Sequence, residues 1–225
     1  MTKAKSKITR PLSPPELKLL KFLWRWKVAP HTVIHRLFFS SLSLWRSYKK
    51  LRILLAEGYL KEELPSIVVP TPLFSLTQKG YEVFRREHEN LEQKRFKPQS
   101  VPHDYLASSF QLGEFILESP LGVEFFTETE LSILDVSQFP AWVPPAKDHI
   151  PDGLTLIKGK DKARIFAIEV EITLKPIARY DKMNLYFHLN KEVDQVLWLC
   201  GSESVARTIF SKFSSSRMPY RDPHS

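Results

Sequence analysis

The hydrophobic pattern of the first half of the chain predicts helices followed by a short β-hairpin. Apolar side chains recur at helical spacing in three segments, and two short β runs then flank a proline-rich tip. Trp24, Trp26 and Trp45 are expected to pack in the core or between domains and not to stack on bases. The predicted helices cover 14–29, 32–38 and 44–57, and the predicted strands cover 59–62 and 73–76.

The ends of these segments carry residues that start and stop helices. Ser13, Pro14 and Glu16 have the order of an N-cap, a first helical position and an N3 acid. Gly58 is expected to end the third helix, and Thr77 is expected to cap a fourth.

The third helical segment combines an apolar stripe with a cationic one. Leu44, Tyr48, Leu51 and Leu55 recur at helical spacing and are expected to face the core. A major-groove reader needs this combination, because one stripe docks the helix while the other meets phosphates and base edges. The residues predicted to contact DNA are Arg46, Ser47, Lys49, Lys50 and Arg52.

Charge is divided unevenly along the 225 residues. The net charge is +8, but 1–97 contain 20 Lys and Arg against 8 Asp and Glu (+12), and 98–225 contain 13 against 17 (−4). A basic half is typical of a chain that binds a polyanion, although a basic surface without a ligand is the alternative. Residues 1–13 are predicted to form a basic flexible tail.

Two motifs in the first half resemble bacterial winged-helix domains. LLAEGYL (54–60) matches the end of the recognition helix in that family, and LTQKG (76–80) matches the exit from the wing. The resemblance implies a winged helix-turn-helix DNA-binding domain over 14–97, with a trailing charged helix and double-stranded DNA as its partner. A winged helix used for protein contact is the alternative, and the charged helix could also pair two subunits as a homodimer. A break at 97–102 marks the expected domain boundary.

The second half predicts elements in the order α-β-β-β-α-β-α. One residue of the pair His103–Asp104 is expected to cap the first of these helices, since no nucleophile accompanies the pair in the sequence. A single cysteine, Cys200, excludes a disulfide framework. The predicted helices cover 103–117, 176–190 and 202–213, and the predicted strands cover 123–128, 149–159, 163–173 and 195–201.

Pro151–Asp152 and Glu169–Val170–Glu171 resemble the motif of the PD-(D/E)xK nuclease-like fold, which would cover 103–216. Hard Mg²⁺ prefers carboxylate oxygens, and alternation along a strand puts Glu169 and Glu171 on one face. The position usually occupied by lysine is Glu171 here, so Lys175 or Lys182 is a candidate replacement. The resemblance implies Asp152, Glu169, Glu171 and Lys175 as catalytic residues, and Asp152, Glu169 and Glu114 (or Glu118) as ligands of Mg²⁺ if the domain is catalytic. The fold class expected for the whole chain is α+β.

The combined layout resembles the bacterial replication-relaxation family, which is linked to plasmid replication, DNA relaxation and mobilisation. The resemblance implies a DNA-binding protein of a plasmid or mobile element, with possible metal-dependent endonuclease activity. The alternatives are a transcriptional regulator with a catalytically inactive dimerisation or effector domain, and a protein-interaction adaptor. The motif is carried by His103–Asp104, Leu106, Pro151–Asp152–Gly153, Glu169, Glu171, Thr173, Lys175 and Arg179–Tyr180.

Hydropathy argues against a membrane location. No apolar run approaches the ~18 residues that a bilayer span requires, and the lysines near Met1 are not followed by an apolar stretch. A cytoplasmic protein without membrane contact is therefore expected. The seven histidines show no metal-ligand spacing in the sequence, so no zinc site is predicted.

Overall fold

The chain folds into two compact units, Met1–Pro98 and Gln99–Ser225. Helices and sheets occur in both units, which confirms the predicted α+β class. No helix in the described ranges is long and apolar enough to cross a membrane. The structure is a computed structural model, and it describes residues 10–63, 71–86, 100–113, 120–145 and 149–214.

Unit 1 is a small helical unit with a three-stranded antiparallel sheet of order β1-β3-β2. The short strand β1 was not predicted, because three residues carry too little alternation to indicate a strand. Residues 64–70 of the predicted wing tip, and the trailing helix beyond Arg86, lie outside the described residues. The elements are α1 (Pro14–Trp26), β1 (Val28–Pro30), α2 (His31–Phe38), α3 (Leu44–Ala56), β2 (Leu60–Glu63), β3 (Leu73–Leu76) and α4 (Gln78–Arg86).

The start of α1 depends on a buried carboxylate. Glu16 is fully buried and accepts hydrogen bonds from the backbone N and the Oγ of Ser13, both at 2.8 Å. The guanidinium of Arg10 donates to both carboxylate oxygens of Glu16, at 2.7 and 2.8 Å. Arg10 and Ser13, near the end of the predicted basic tail, are therefore bound to the start of α1. Residues 1–9 lie outside the described residues.

The two motifs that resemble winged-helix domains touch each other. Gly58 has a positive φ of 76° after the end of α3. The Thr77 hydroxyl donates to the carbonyl oxygens of Gly58 and Tyr59, at 2.6 and 3.1 Å, and also accepts from Gly80 N at 3.1 Å. A Cβ on Gly80 would lie 2.1 Å from the carbonyl oxygen of Tyr59, so only glycine allows this approach. The spacing of LLAEGYL and LTQKG thus reflects a backbone contact that closes the hairpin.

Unit 2 is built on a four-stranded sheet of order β4-β5-β6-β7, in which only the β6–β7 pair is parallel. Helix α6 and a 3-10 turn at Val136–Gln138 lie between β4 and β5, where no helix was predicted. The elements are α5 (Val101–Leu112), β4 (Val123–Thr127), α6 (Glu128–Ile133), β5 (Gly153–Lys158), β6 (Ala163–Glu171), α7 (Ile177–Leu189), β7 (Gln195–Cys200) and α8 (Glu203–Ser214).

The central strand β6 is buried on both faces at its end. Ile168 and Val170 face Ala107 of α5, whereas Ile165 and Ala167 belong to the larger core formed with α7 and α8. Because side chains alternate along a strand, the second face continues into Glu169 and Glu171. On this face, the beginning of β6 therefore carries apolar side chains and its end carries carboxylates.

Replacing the buried acid of α1 tests the account of unit 1. Burial alone would raise the pKa of Glu16, but the hydrogen bonds from Arg10 and Ser13 lower it to about 2 from the usual 4.5. Glu16→Gln should lower the free energy of unfolding at neutral pH by about 2–3 kcal/mol, because Arg10 and Ser13 lose a charged acceptor.

A group with a depressed pKa stabilises above its unfolded value, so this difference should vanish as the pH falls from 4.5 towards 2. Urea unfolding of both proteins across this range measures it. Glu82→Gln, which changes an exposed glutamate of α4, is the control and should have little effect. A difference between Glu16→Gln and the unaltered chain that is independent of pH would contradict this account.

Candidate functional site

Cationic side chains cover one side of α3. Arg46, Lys49 and Arg52 are exposed, and their spacing of three residues keeps them on neighbouring positions along the helix. Lys50, also predicted to contact DNA, is half-buried. The helix therefore presents a cationic surface to solvent that includes three of the five residues predicted to contact DNA.

The fifth predicted residue, Ser47, lies in the interior. It is 0% exposed, and its Oγ donates to the carbonyl oxygen of Leu44 at 2.7 Å and lies 2.8 Å from Nε2 of His31. The predicted contact between Ser47 and DNA is therefore wrong for this conformation. The hydroxyl is satisfied by its own helix and by a residue of α2, which allows a polar side chain to occupy the packed face.

The packed face of α3 is rotated from the one predicted. The buried residues are Ser47, Leu51 and Leu54. Leu44 and Tyr48, which were expected in the core, are exposed. A prediction based on residue type expects leucine to be buried and serine to be exposed, so it fails here, where Ser47 is buried and Leu44 is exposed.

The same rotation exposes a tryptophan. Trp24 and Trp26 are buried as predicted, but Trp45 is 63% exposed, so the prediction that it packs in the core is wrong. The ammonium of Lys49 lies 3.5 Å from the centroid of the Trp45 ring. Trp45 is thus part of the cationic surface of α3.

Three carboxylates are buried at the ends of β5 and β6 in unit 2. Asp152, Glu169 and Glu171 are 6%, 3% and 1% exposed. The antiparallel pairing of β5 with β6 brings Asp152 beside them, as predicted: its backbone N donates to Ile168 O at 3.0 Å. Its Oδ2 accepts from Val170 N at 2.7 Å. The sequence-predicted acids are therefore assembled on neighbouring strands.

Asp152 is paired with a histidine of α5. Nε2 of His103 lies 3.2 Å from Asp152 Oδ2, and its Nδ1 lies 3.5 Å from Asp104 Oδ1. Burial lowers the pKa of His103, but the neighbouring carboxylates of Asp104 and Asp152 outweigh this and raise it to about 9. Burial raises the pKa of Asp152, but His103 keeps it below its usual value. The pair is charged at neutral pH.

The predicted capping role of His103 or Asp104 is wrong. Ser100 is the N-cap of α5, and its Oγ accepts from the backbone N of His103 at 3.4 Å. Both His103 and Asp104 are buried in the first turn. His103 is thus a site residue that the sequence analysis misassigned, although it lies in the motif that carries the family resemblance.

Glu169 is paired with a second histidine, His149. Nε2 of His149 lies 2.5 Å from Glu169 Oε1, and the imidazole packs edge-on against the rings of Tyr186 and Phe187. Burial lowers the pKa of His149 to about 4. Burial and the charge of Asp152 raise the pKa of Glu169 well above its usual value. These opposite shifts of the two pKa values favour a proton on Glu169 and a neutral imidazole on His149. The pair of Asp152 with His103 shows the reverse shifts.

Glu171 has a cation beside it in place of a histidine. Nζ of Lys175 lies 3.3 Å from Glu171 Oε1, and the backbone N of Lys175 donates to the Tyr180 hydroxyl at 2.9 Å. Neither oxygen of Glu171 has a hydrogen bond of good geometry within the ranges that the structure describes. Of the two lysines predicted as candidate replacements, Lys175 therefore lies against Glu171, whereas Lys182 is exposed on α7.

The donor chemistry of these residues fits a hard divalent cation, because a buried carboxylate without hydrogen bonds is one that a cation would satisfy. The side chains are not arranged as an assembled metal site: in the described part of the chain, no three His, Cys, Asp or Glu side chains are grouped to hold one ion. Asp152 and Glu169 are each held by a histidine. The predicted ligand Glu114, with its alternative Glu118, lies outside the described residues.

No protein-family model matches the chain, and no curated protein matches it. The cationic face of α3 and the buried carboxylates of unit 2 are therefore the features that indicate a function.

The charged pair of His103 should make the stability of unit 2 depend on pH. A histidine with a raised pKa stabilises the fold fully below its unfolded value of 6.5, and this contribution is lost as the pH rises through about 9. In buffer free of divalent cations, the unaltered chain should lose about 3 kcal/mol more of its unfolding free energy over this range than His103→Gln.

Denaturant unfolding at a series of pH values measures this difference. His188→Gln, which changes an exposed histidine of α7, serves as the control and should keep the pH dependence of the unaltered chain. Equal slopes for the unaltered chain and His103→Gln would show that His103 is not held as a cation.

Proposed function

We propose that the chain is a DNA-binding protein that contacts duplex DNA through α3. The observation that carries this proposal is the joint exposure of Arg46, Lys49 and Arg52 on one helix. Cations on one face neutralise phosphates and release counterions, and arginines can in addition read guanine edges in the major groove. The net charge of +12 over 1–97 supports the same ligand.

The element order of unit 1 supports a winged helix-turn-helix. Helices α1 to α3 are followed by the antiparallel strands β2 and β3, and β1 pairs with the outer side of β3. In this interpretation α3 is the recognition helix and the β2–β3 hairpin is the wing. The contact of Thr77 and Gly80 with Gly58 and Tyr59 fixes the hairpin against the end of α3.

For unit 2 we propose a PD-(D/E)xK-like domain that hydrolyses a phosphodiester of the bound DNA. Asp152 and Glu169 would exchange their histidine contacts for Mg²⁺, which Glu171 would also help to hold. The ion would supply Lewis-acid stabilisation of the phosphate and a more acidic water. Lys175 would provide the positive charge near the scissile phosphate. The observation that favours catalysis is the burial of three acids at one end of two strands, which is costly for a purely structural role.

On the resemblance described above, this activity would serve replication, relaxation or mobilisation of plasmid or other mobile DNA. The second candidate is a transcriptional regulator whose unit 2 is not catalytic. It is favoured by the two histidines, because they occupy carboxylates that a metal ion would need.

Removing cations from α3 should weaken DNA binding and its dependence on salt. Each phosphate contact contributes about 0.9 to the slope of log affinity against log salt. Arg46→Gln combined with Arg52→Gln should therefore reduce the slope for a short duplex by about 1–2.

The matched control is Lys158→Gln combined with Lys162→Gln, two exposed lysines of unit 2. Fluorescence anisotropy at several salt concentrations gives both slopes. If the control lowers the slope and the α3 variant does not, the DNA interface lies elsewhere.

The unaltered chain should nick supercoiled plasmid in the presence of Mg²⁺ or Mn²⁺. Asp152→Asn and Glu169→Gln keep the shape of each side chain but remove the negative charge with which it would bind the metal ion. The rate of cleavage should therefore fall by roughly a hundredfold or more. Binding to the same plasmid, followed by gel shift, should be unchanged.

Asp161→Asn, in the exposed turn between β5 and β6, is the control and should cleave normally. DNA binding without nicking by the unaltered chain would reject the hydrolytic proposal and support the regulator.

A further inference from the structure

The exposed apolar side chains of unit 1 are concentrated on the proposed DNA-binding helix. In the part of unit 1 that the structure describes, every exposed large hydrophobic residue belongs to α3. A surface helix normally turns such residues inward, so their exposure on one element indicates a contact surface. These residues are Leu44, Trp45, Tyr48 and Ile53.

Trp45 and Tyr48 lie three residues apart, so they are neighbours near the start of α3. Lys49 covers part of the Trp45 ring at 3.5 Å, yet 63% of the residue remains exposed. Tyr48 packs at 5.3 Å between ring centroids against His31 of α2. Both aromatic rings are thus held by neighbours while part of their surface stays open to a ligand.

The chemistry of this surface differs from that of a helix that only reads base pairs. An indole has one N–H donor and no acceptor, so it cannot make the bidentate contacts that distinguish base edges in the major groove. Its flat π face suits an unpaired base, and binding sites for single strands combine aromatic platforms with cations along the backbone.

We propose that Trp45 and Tyr48 stack on unpaired bases, so that the preferred ligand of unit 1 is DNA in which unpaired bases adjoin a duplex. The inference rests on the proposed DNA-binding function and specifies its substrate. Charge complementarity supports this occupant, because Arg46 is exposed next to Trp45 in the sequence and Arg52 is exposed one helical turn beyond Tyr48, and both are cations that can meet phosphates. Arg52 also lies 3.8 Å from the carboxylate of Glu62. A purely apolar protein partner would leave the guanidinium of Arg46 without an anionic counterpart.

The experiment compares three labelled ligands of one sequence: a duplex, the same duplex with a central run of mismatched thymines, and the single strand. Fluorescence anisotropy is measured with the full chain and with Trp45→Ala, Trp45→Phe and Tyr48→Ala. Phe110→Ala, which removes an exposed aromatic ring of unit 2, is the matched control. Thermal unfolding checks that each variant is folded, which is expected because Trp45 is exposed.

The unaltered chain should bind the mismatched duplex more tightly than the perfect one. Trp45→Ala should weaken binding to the mismatched duplex by roughly 5- to 150-fold, the range that corresponds to loss of one stacked base, and change binding to the perfect duplex by less than about twofold. Trp45→Phe should restore most of the affinity, because a phenyl ring still stacks, and Phe110→Ala should have no effect.

If Trp45→Ala loses the same affinity for the perfect and the mismatched duplex, the inference is overturned. Trp45 would then contact a groove of the duplex, for example at thymine methyl groups. No loss on either ligand would overturn it as well, and would leave the face to a protein partner. If the unaltered chain binds none of the three ligands, the proposed function itself fails. If it binds the duplex and depends on Arg46 and Arg52 but not on Trp45, the function stands without the inference.

Discussion

Burial of three carboxylates at the ends of β5 and β6 is the constraint on which the rest of unit 2 depends. An ionised carboxylate taken out of water costs several kcal/mol unless a partner compensates it. The chain meets this requirement in three ways: a charged pair between Asp152 and His103, a neutral pair between Glu169 and His149, and a lysine beside Glu171. These partners come from α5, from the segment before β5, and from the segment between β6 and α7. The carboxylates thereby bring three separate parts of the chain to one place.

The contrast between the two histidine pairs gives the site its chemical interest. The pKa of Glu169 is raised and that of its partner His149 is lowered, whereas the pKa of Asp152 is lowered and that of its partner His103 is raised. Neighbouring groups with pKa values pushed in opposite directions are what acid–base chemistry requires. The same separation would also stabilise a site without catalysis, because each acid is neutralised locally. Unit 1 shows the opposite arrangement, since Glu16, the one fully buried acid among its described residues, fixes α1 while α3 leaves charges and aromatic rings in solvent.

Much of this could be predicted from the sequence wherever the signal was local. The glycine motifs located the end of α3 and the start of α4, and alternation located β5 and β6, including the shared face of Glu169 and Glu171. The orientation of α3 was missed because Ser47 satisfies its hydroxyl within the fold and so packs like an apolar residue. The histidine partners of Asp152 and Glu169 were missed because pairing across long stretches of chain leaves no periodic trace: His149 precedes β5 and meets Glu169 twenty residues later. His103 belongs to a motif of the sequence, but nothing in that motif indicates that its imidazole contacts Asp152.

The central claim is that the buried acids are held by two histidines in opposite protonation states. Imidazole nitrogen chemical shifts of the labelled chain, followed by NMR against pH in buffer free of divalent cations, test it most directly. Resonances are assigned with His103→Gln and His149→Gln. The account predicts that His103 stays cationic until the pH approaches about 9, whereas His149 stays neutral down to about 4. Titration of both histidines near 6.5 would contradict it, because the imidazoles would then behave as solvated side chains without carboxylate partners.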